Sequence, residues 1–127
     1  MARNAETNLQ NSAFNAVGQH DDVMIWRQQS GVFRSMTDKD RIVRVGVAGM
    51  SDSMMIVGVT ITPDMIGKRI GVAVGVEFKT EAGRQSDAQK RWQAAFESRG
   101  GLYRIVRSAA DIVQLVENVK SGEAWKS

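Results

Sequence analysis

The chain has no cysteine, one histidine and one proline in 127 residues. Without thiols it can hold no disulfide, no thiolate zinc site and no cysteine nucleophile, a composition that fits a cytosolic protein. The single imidazole, His20, stands beside Asp21 and Asp22 and reads as an exposed loop residue. His-rich metal sites and Ser-His-Asp catalysis within one chain are therefore set aside. No uncharged apolar stretch approaches the roughly 20 residues of a membrane span, and the N-terminus lacks a signal-peptide pattern. The expectation is a soluble, cytoplasmic protein without a membrane partner. No internal repeat, low-complexity tract or linker divides the sequence, so a single domain over residues 1–127 is expected.

What is present is a 43% hydrophobic composition, enough for a core, and a net charge of +3. Arg27, Arg34, Lys39, Arg41, Arg44, Lys68, Arg69, Arg84, Lys90, Arg91, Arg99, Arg104 and Arg107 either line a phosphate track or solvate several faces. Residues 4–18 read as a helix that stops at Gly18, followed by short extended pieces at 23–26, 31–34 and 41–45. Ser86 with Gln89 three positions on is a capping box, opening a helix with Ala88, Trp92, Ala95 and Phe96 inward until Gly100 and Gly101. Residues 102–106 form a strand by composition, and Ser108 with Asp111 opens a last helix with Ile112, Leu115, Val116 and Val119 inward. The order predicts an α/β fold, a mixed sheet flanked by helices, with the strand at 102–106 parallel to the one carrying Glu77.

Chemistry concentrates at Asp52 and at Glu77-Phe78-Lys79. If residues 54–61 and 70–79 form an antiparallel hairpin centred between Asp64 and Met65, Asp52 lies opposite Glu77. The connecting stretch holds Pro63 and Gly67, which is turn chemistry. Glu77 and Lys79, two apart on a strand, share a face. Two carboxylates and a lysine at one place suit metal-dependent phosphodiester hydrolysis: carboxylates hold divalent cations and an ammonium offsets oxyanion charge. Taken singly, Asp52 also reads as a turn residue, and Glu77 and Lys79 as solvated charges on an edge strand.

The succession Gly46-x-x-Gly49-x-x-Asp52, Glu77-x-Lys79, Gly83-Arg84-x-Ser86-x-x-Gln89-x-x-Trp92 and Gly100-Gly101, with Trp26-Arg27-x-x-Ser30-Gly31 upstream, resembles the virus-type replication-repair nucleases, VRR-NUC, a branch of the PD-(D/E)xK nucleases. Ala48 departs from the pattern where members often carry proline. The resemblance implies a restriction-endonuclease-like core in which Asp52, Glu77 and the Phe78 carbonyl bind Mg2+ or Mn2+ and Lys79 sits beside the attacked phosphate. Glu6 matches an acidic residue that can complete the metal site, although an exposed helix glutamate is the simpler reading. Gln89 is a candidate for the metal water or the scissile phosphate as well as for the capping box. Arg27, Ser30 and Arg84 are candidates for backbone phosphate contacts. Trp92 reads as core rather than as a stacking platform.

Small stand-alone members of the family are similar to junction resolvases, so the expected activity is that of a structure-selective DNA endonuclease of phage-like origin, acting in the host cytoplasm on branched DNA such as four-way junctions. A junction needs two cuts, which leads to an expected homodimer, with Trp125 in the tail as a candidate for the subunit contact. The alternative is a catalytically silent nucleic-acid-binding module with the same fold. A restriction-type enzyme reading a short sequence is the less favoured expectation, because the sequence shows no obvious extra recognition domain.

Overall fold

A computed structural model describes residues 2–28, 31–38, 40–49 and 51–126. The fold is mixed α/β, with three helices and, among the described residues, strands joined two by two. The chain divides into two compact units, Met1–Met55 and Ile56–Ser127.

The first unit contains helix α1, Ala2–Val17, and strands β1, Val23–Arg27, β2, Gly31–Arg34, and β3, Ile42–Val45. β2 and β3 pair antiparallel, with Val32 opposite Arg44 and Phe33 opposite Val43. Their connection is a polar turn: Ser35 Oγ accepts from the Thr37 and Asp38 amides, and Asp38 Oδ1 from the Asp40 amide. Arg27 ties β1 to α1, donating to Asn11 Oδ1 at 2.6 Å with its guanidinium 5.4 Å from the centre of the Phe14 ring. The apolar side of α1 is little covered, and Leu9 is 70% exposed. Strand β4, Ser53–Val57, carries the chain across the boundary and has β1 as its hydrogen-bonded neighbour.

The second unit holds the core. After a short 3-10 turn at Pro63–Met65 come strand β5, Val74–Phe78, helix α2, Asp87–Ser98, strand β6, Leu102–Val106, and helix α3, Ala109–Ser121, then a 3-10 turn at Glu123–Trp125. β5 and β6 pair in parallel, Val74 with Leu102 through Phe78 with Val106, as the sequence predicts for strands joined through a helix. Leu102 and Tyr103 are both buried. Successive strand residues point to opposite faces, so both faces of β6 are covered; α2 and α3 each pack on it.

Helix α2 begins and ends as its sequence dictates. Ser86 Oγ accepts from the Gln89 amide at 3.1 Å and Gln89 Oε1 accepts from the Ser86 amide at 2.9 Å. At the other end the Gly100 amide donates to Glu97 O and the Gly101 amide to Phe96 O, the paired bonds of a Schellman motif. Gly100 sits at φ +88, where a side chain is strained, and a Cβ on Gly101 would lie 2.4 Å from Phe96 Cε1. The two glycines thus do different things: one turns the chain, the other lets Phe96 into the core.

The pairing of β4 and β5 differs from the expected hairpin. β4 bonds to β1, β5 bonds to β6, and residues 58–73 form no strand. A register set by a tight turn needs a short connection, and this one is long enough to leave pairing to other contacts. The arithmetic that set Asp52 opposite Glu77 therefore does not hold. The strands likewise form two-stranded sheets, in place of the one mixed central sheet expected. Among the described residues no helix is long and apolar enough to cross a membrane.

Candidate active site

Glu77 and Lys79 come together at the carboxyl end of β5. The Lys79 amide donates to Val106 O at 3.1 Å, which continues the ladder with β6 one residue past the strand and keeps Lys79 on the Glu77 face. The ammonium lies 3.6 Å from Glu77 Oε1, with the two side chains 21% and 26% exposed. Phe78, between them, faces the other way and is 68% exposed.

Gln89 reaches the same carboxylate from the first turn of α2. Its Nε2 donates to Glu77 Oε1 at 2.7 Å while its Oε1 accepts from the Ser86 amide. The orientation of this amide is fixed by chemistry, since Ser86 N–H can only donate and a carboxylate can only accept. One residue therefore both caps the helix, as its sequence predicts, and holds the Glu77 carboxylate, a contact the sequence did not indicate. A third donor arrives from β6: Tyr103 Oη lies 3.3 Å from Glu77 Oε2.

The chain leaving Lys79 is also held. Gly83 N donates to Thr80 O, closing a turn, and Arg107 Nη1 donates to the carbonyls of Thr80 at 2.6 Å, Gly83 at 3.0 Å and Glu81 at 3.2 Å. Arg107 is itself anchored, because its amide donates to Asp111 Oδ2 at 2.9 Å at the start of α3. The exposed Arg84 follows directly on this turn.

Of the residues singled out by sequence, Glu77, Lys79 and Gln89 are thus brought together. Asp52 is exposed in the bend before β4, with its carbonyl accepting from the Gln28 amide at 2.9 Å. Glu6 is exposed on α1, and Arg27 is engaged by Asn11 and Phe14. Asp52, Glu6 and Arg27 belong to the first unit. Ser30 lies outside the described residues. Trp92 is not core as expected: it is 39% exposed and stacks on Phe96, the ring centres 6.4 Å apart, while Phe96 at 4% exposed takes the core position.

Tyr103 and Arg107 were not singled out as site residues. Their signals are pairings, Tyr103 beside Gly75 and Arg107 beside the turn after Lys79, and neither is visible until the β5–β6 register is known. Among the described residues no three His, Cys, Asp or Glu side chains converge on one point. Glu77 offers carboxylate oxygen, the donor a hard divalent cation takes, with Gln89 and Tyr103 as neutral hydrogen-bond partners; its Oε1 also lies 3.6 Å from the Lys79 ammonium, which a cation there would meet. No protein-family model matches the chain, and no curated protein or solved structure matches it either.

Proposed function

We propose that this chain is a divalent-metal-dependent endonuclease that hydrolyses phosphodiesters in branched DNA, with β5, α2 and β6 forming the catalytic part of a PD-(D/E)xK-like core. The observation that carries the reading is the cluster of Glu77, Lys79 and Gln89 at the end of β5. It joins the Glu-x-Lys and Gln elements of the motif series that resembles the VRR-NUC nucleases.

Glu77 and the Phe78 carbonyl are the ligands the second unit would offer to Mg2+ or Mn2+. Bound there, the cation would act as a Lewis acid and lower the pKa of a water. Gln89 holds the Glu77 carboxylate in place from α2. Lys79 offers a compact positive charge that orients the attacking water or offsets charge on the phosphate as oxygen adds to phosphorus. In the hydrolysis the water oxygen bonds to phosphorus, the bond to the 3′ oxygen breaks, and a 5′-phosphate and a 3′-hydroxyl result. Arg84 follows the turn that Arg107 holds and would meet a backbone phosphate, a contact that positions DNA without reading sequence. Asp52 and Glu6 lie in the first unit, and mutation is the test of their part as further ligands. The homodimer expected for paired cuts is part of the same proposal; Trp125 is half exposed after a tail that Arg104 ties to its own chain through Ala124 O.

The test is incubation of the purified protein with duplex, flap, splayed-arm and four-way DNA at equal concentration in Mg2+ or Mn2+, with and without chelator. Chelator-sensitive cutting of the branched substrates is expected. Binding of DNA without any cutting would favour the silent module, and paired incision of a cruciform plasmid would support the dimer.

A further inference from the structure

We infer that Tyr103 is a positioning residue for the Glu77 carboxylate, acting through its hydroxyl, and that Gly75 is the residue that lets it do so. The inference rests on the reading of Glu77 as a metal ligand.

The register sets Gly75 opposite Tyr103 on the paired strands. Gly75 and Glu77 are two apart on β5 and so share a face. A Cβ on Gly75 would stand 2.9 Å from Tyr103 Cδ2, 3.5 Å from Cε2 and 3.7 Å from Phe96 Cε1. The Tyr103 ring therefore lies across the bare backbone of Gly75 and is buried, and its hydroxyl emerges two residues further along, 3.3 Å from Glu77 Oε2. A buried phenylalanine would supply the same apolar contact, so what the tyrosine adds is the donor. Gln89 serves the other oxygen, Oε1.

Each oxygen thus has its own neutral donor, one from β6 and one from α2. Two donors on two elements fix the rotation of the carboxylate, which a single bond would leave free; Oε2 keeps lone pairs for a cation, and Oε1 does so with the Lys79 ammonium 3.6 Å away. Partners of this kind, outside the ligands themselves, orient a ligand and tune the affinity of the site.

The experiment is calorimetric titration of the full-length protein with Mn2+ alone, beside cleavage kinetics on a four-way junction, for wild type, Tyr103→Phe, Gly75→Ala and the two substitutions combined, with Glu77→Gln as reference. Tyr103→Phe is expected to keep the wild-type melting temperature, to weaken Mn2+ binding by about tenfold and to lower kcat by a similar factor while KM for DNA stays unchanged. Gly75→Ala pushes the ring aside and should weaken Mn2+ binding in the same direction. In the Tyr103→Phe background it should add no further loss of Mn2+ affinity, because both changes remove one bond. Tyr103→Phe decides the matter even if Gly75→Ala does not fold, since it removes one oxygen and leaves the packing intact. Wild-type Mn2+ affinity and turnover in Tyr103→Phe, with both lost in Glu77→Gln, would overturn the role of Tyr103 alone. A wild-type protein that binds no Mn2+ and cuts nothing would overturn the metal reading, and this inference with it.

Discussion

The two units are held in different ways. Every buried apolar side chain among the described residues belongs to Ile56–Ser127: Ile56, Phe96, Leu102, Tyr103, Val106 and Leu115. In Met1–Met55 the contacts include the β2–β3 ladder, a polar turn and the hold of Arg27 on Asn11 and Phe14. Burial is the dominant favourable term in folding, whereas a polar contact exposed to water contributes little net stability. The Glu77 cluster is thus built on the unit with the buried core, where donors from two elements reach the carboxylate.

That contrast can be broken most severely at Phe96. Phe96→Ala removes a ring that is 4% exposed, on the helix that packs against β6, and is expected to cost about 3–5 kcal/mol, read from urea denaturation. A loss below about 1 kcal/mol would mean that the second unit has no tight core. Next comes Gly101→Ala, whose Cβ would fall 2.4 Å from Phe96 Cε1. Overpacking of this kind should cost about 1–3 kcal/mol in the same denaturation series. The smallest effect is expected in the first unit: Arg27→Ala, which loses one exposed hydrogen bond and a cation-π contact, should cost about 1 kcal/mol or less. Amide hydrogen exchange sharpens the comparison, with slow exchange expected in β5 and β6 and faster exchange in β2 and β3.

The elements of both units were legible: the helix expected at 4–18 and the extended pieces at 23–26, 31–34 and 41–45 stand as α1, β1, β2 and β3, and those of the second unit carry their own start and stop signals. The capping box at Ser86, the pair Gly100 and Gly101, and Ser108 at the start of α3 are local signals, each made by residues within a few positions of one another. A strand, a helix and a strand in succession then imply a parallel pair, and β5 and β6 form one. The partner of β4 was not legible, because the run Met54-Met55-Ile56-Val57 has no alternation to mark a face and pairing is decided by distant chain. For the candidate site, Glu77 and Lys79 could be named from spacing and Gln89 from the family resemblance, while Tyr103 and Arg107 could not be named. Their contacts with residues 24 or more positions away depend on the register and on a turn geometry that no local pattern encodes.

If the proposed function holds, Glu77 binds the metal on which cleavage depends and Lys79 acts on the chemistry without binding it. Four-way junction cleavage in Mg2+, measured for Glu77→Ala and Lys79→Ala beside calorimetric titration with Mn2+, tests it directly. Glu77→Ala is expected to lose both Mn2+ binding and several orders of magnitude in turnover, while folding and DNA binding are kept. Lys79→Ala is expected to bind Mn2+ as wild type does and to cut poorly. Wild-type turnover in Glu77→Ala, or equal loss of metal affinity in both variants, would contradict the account.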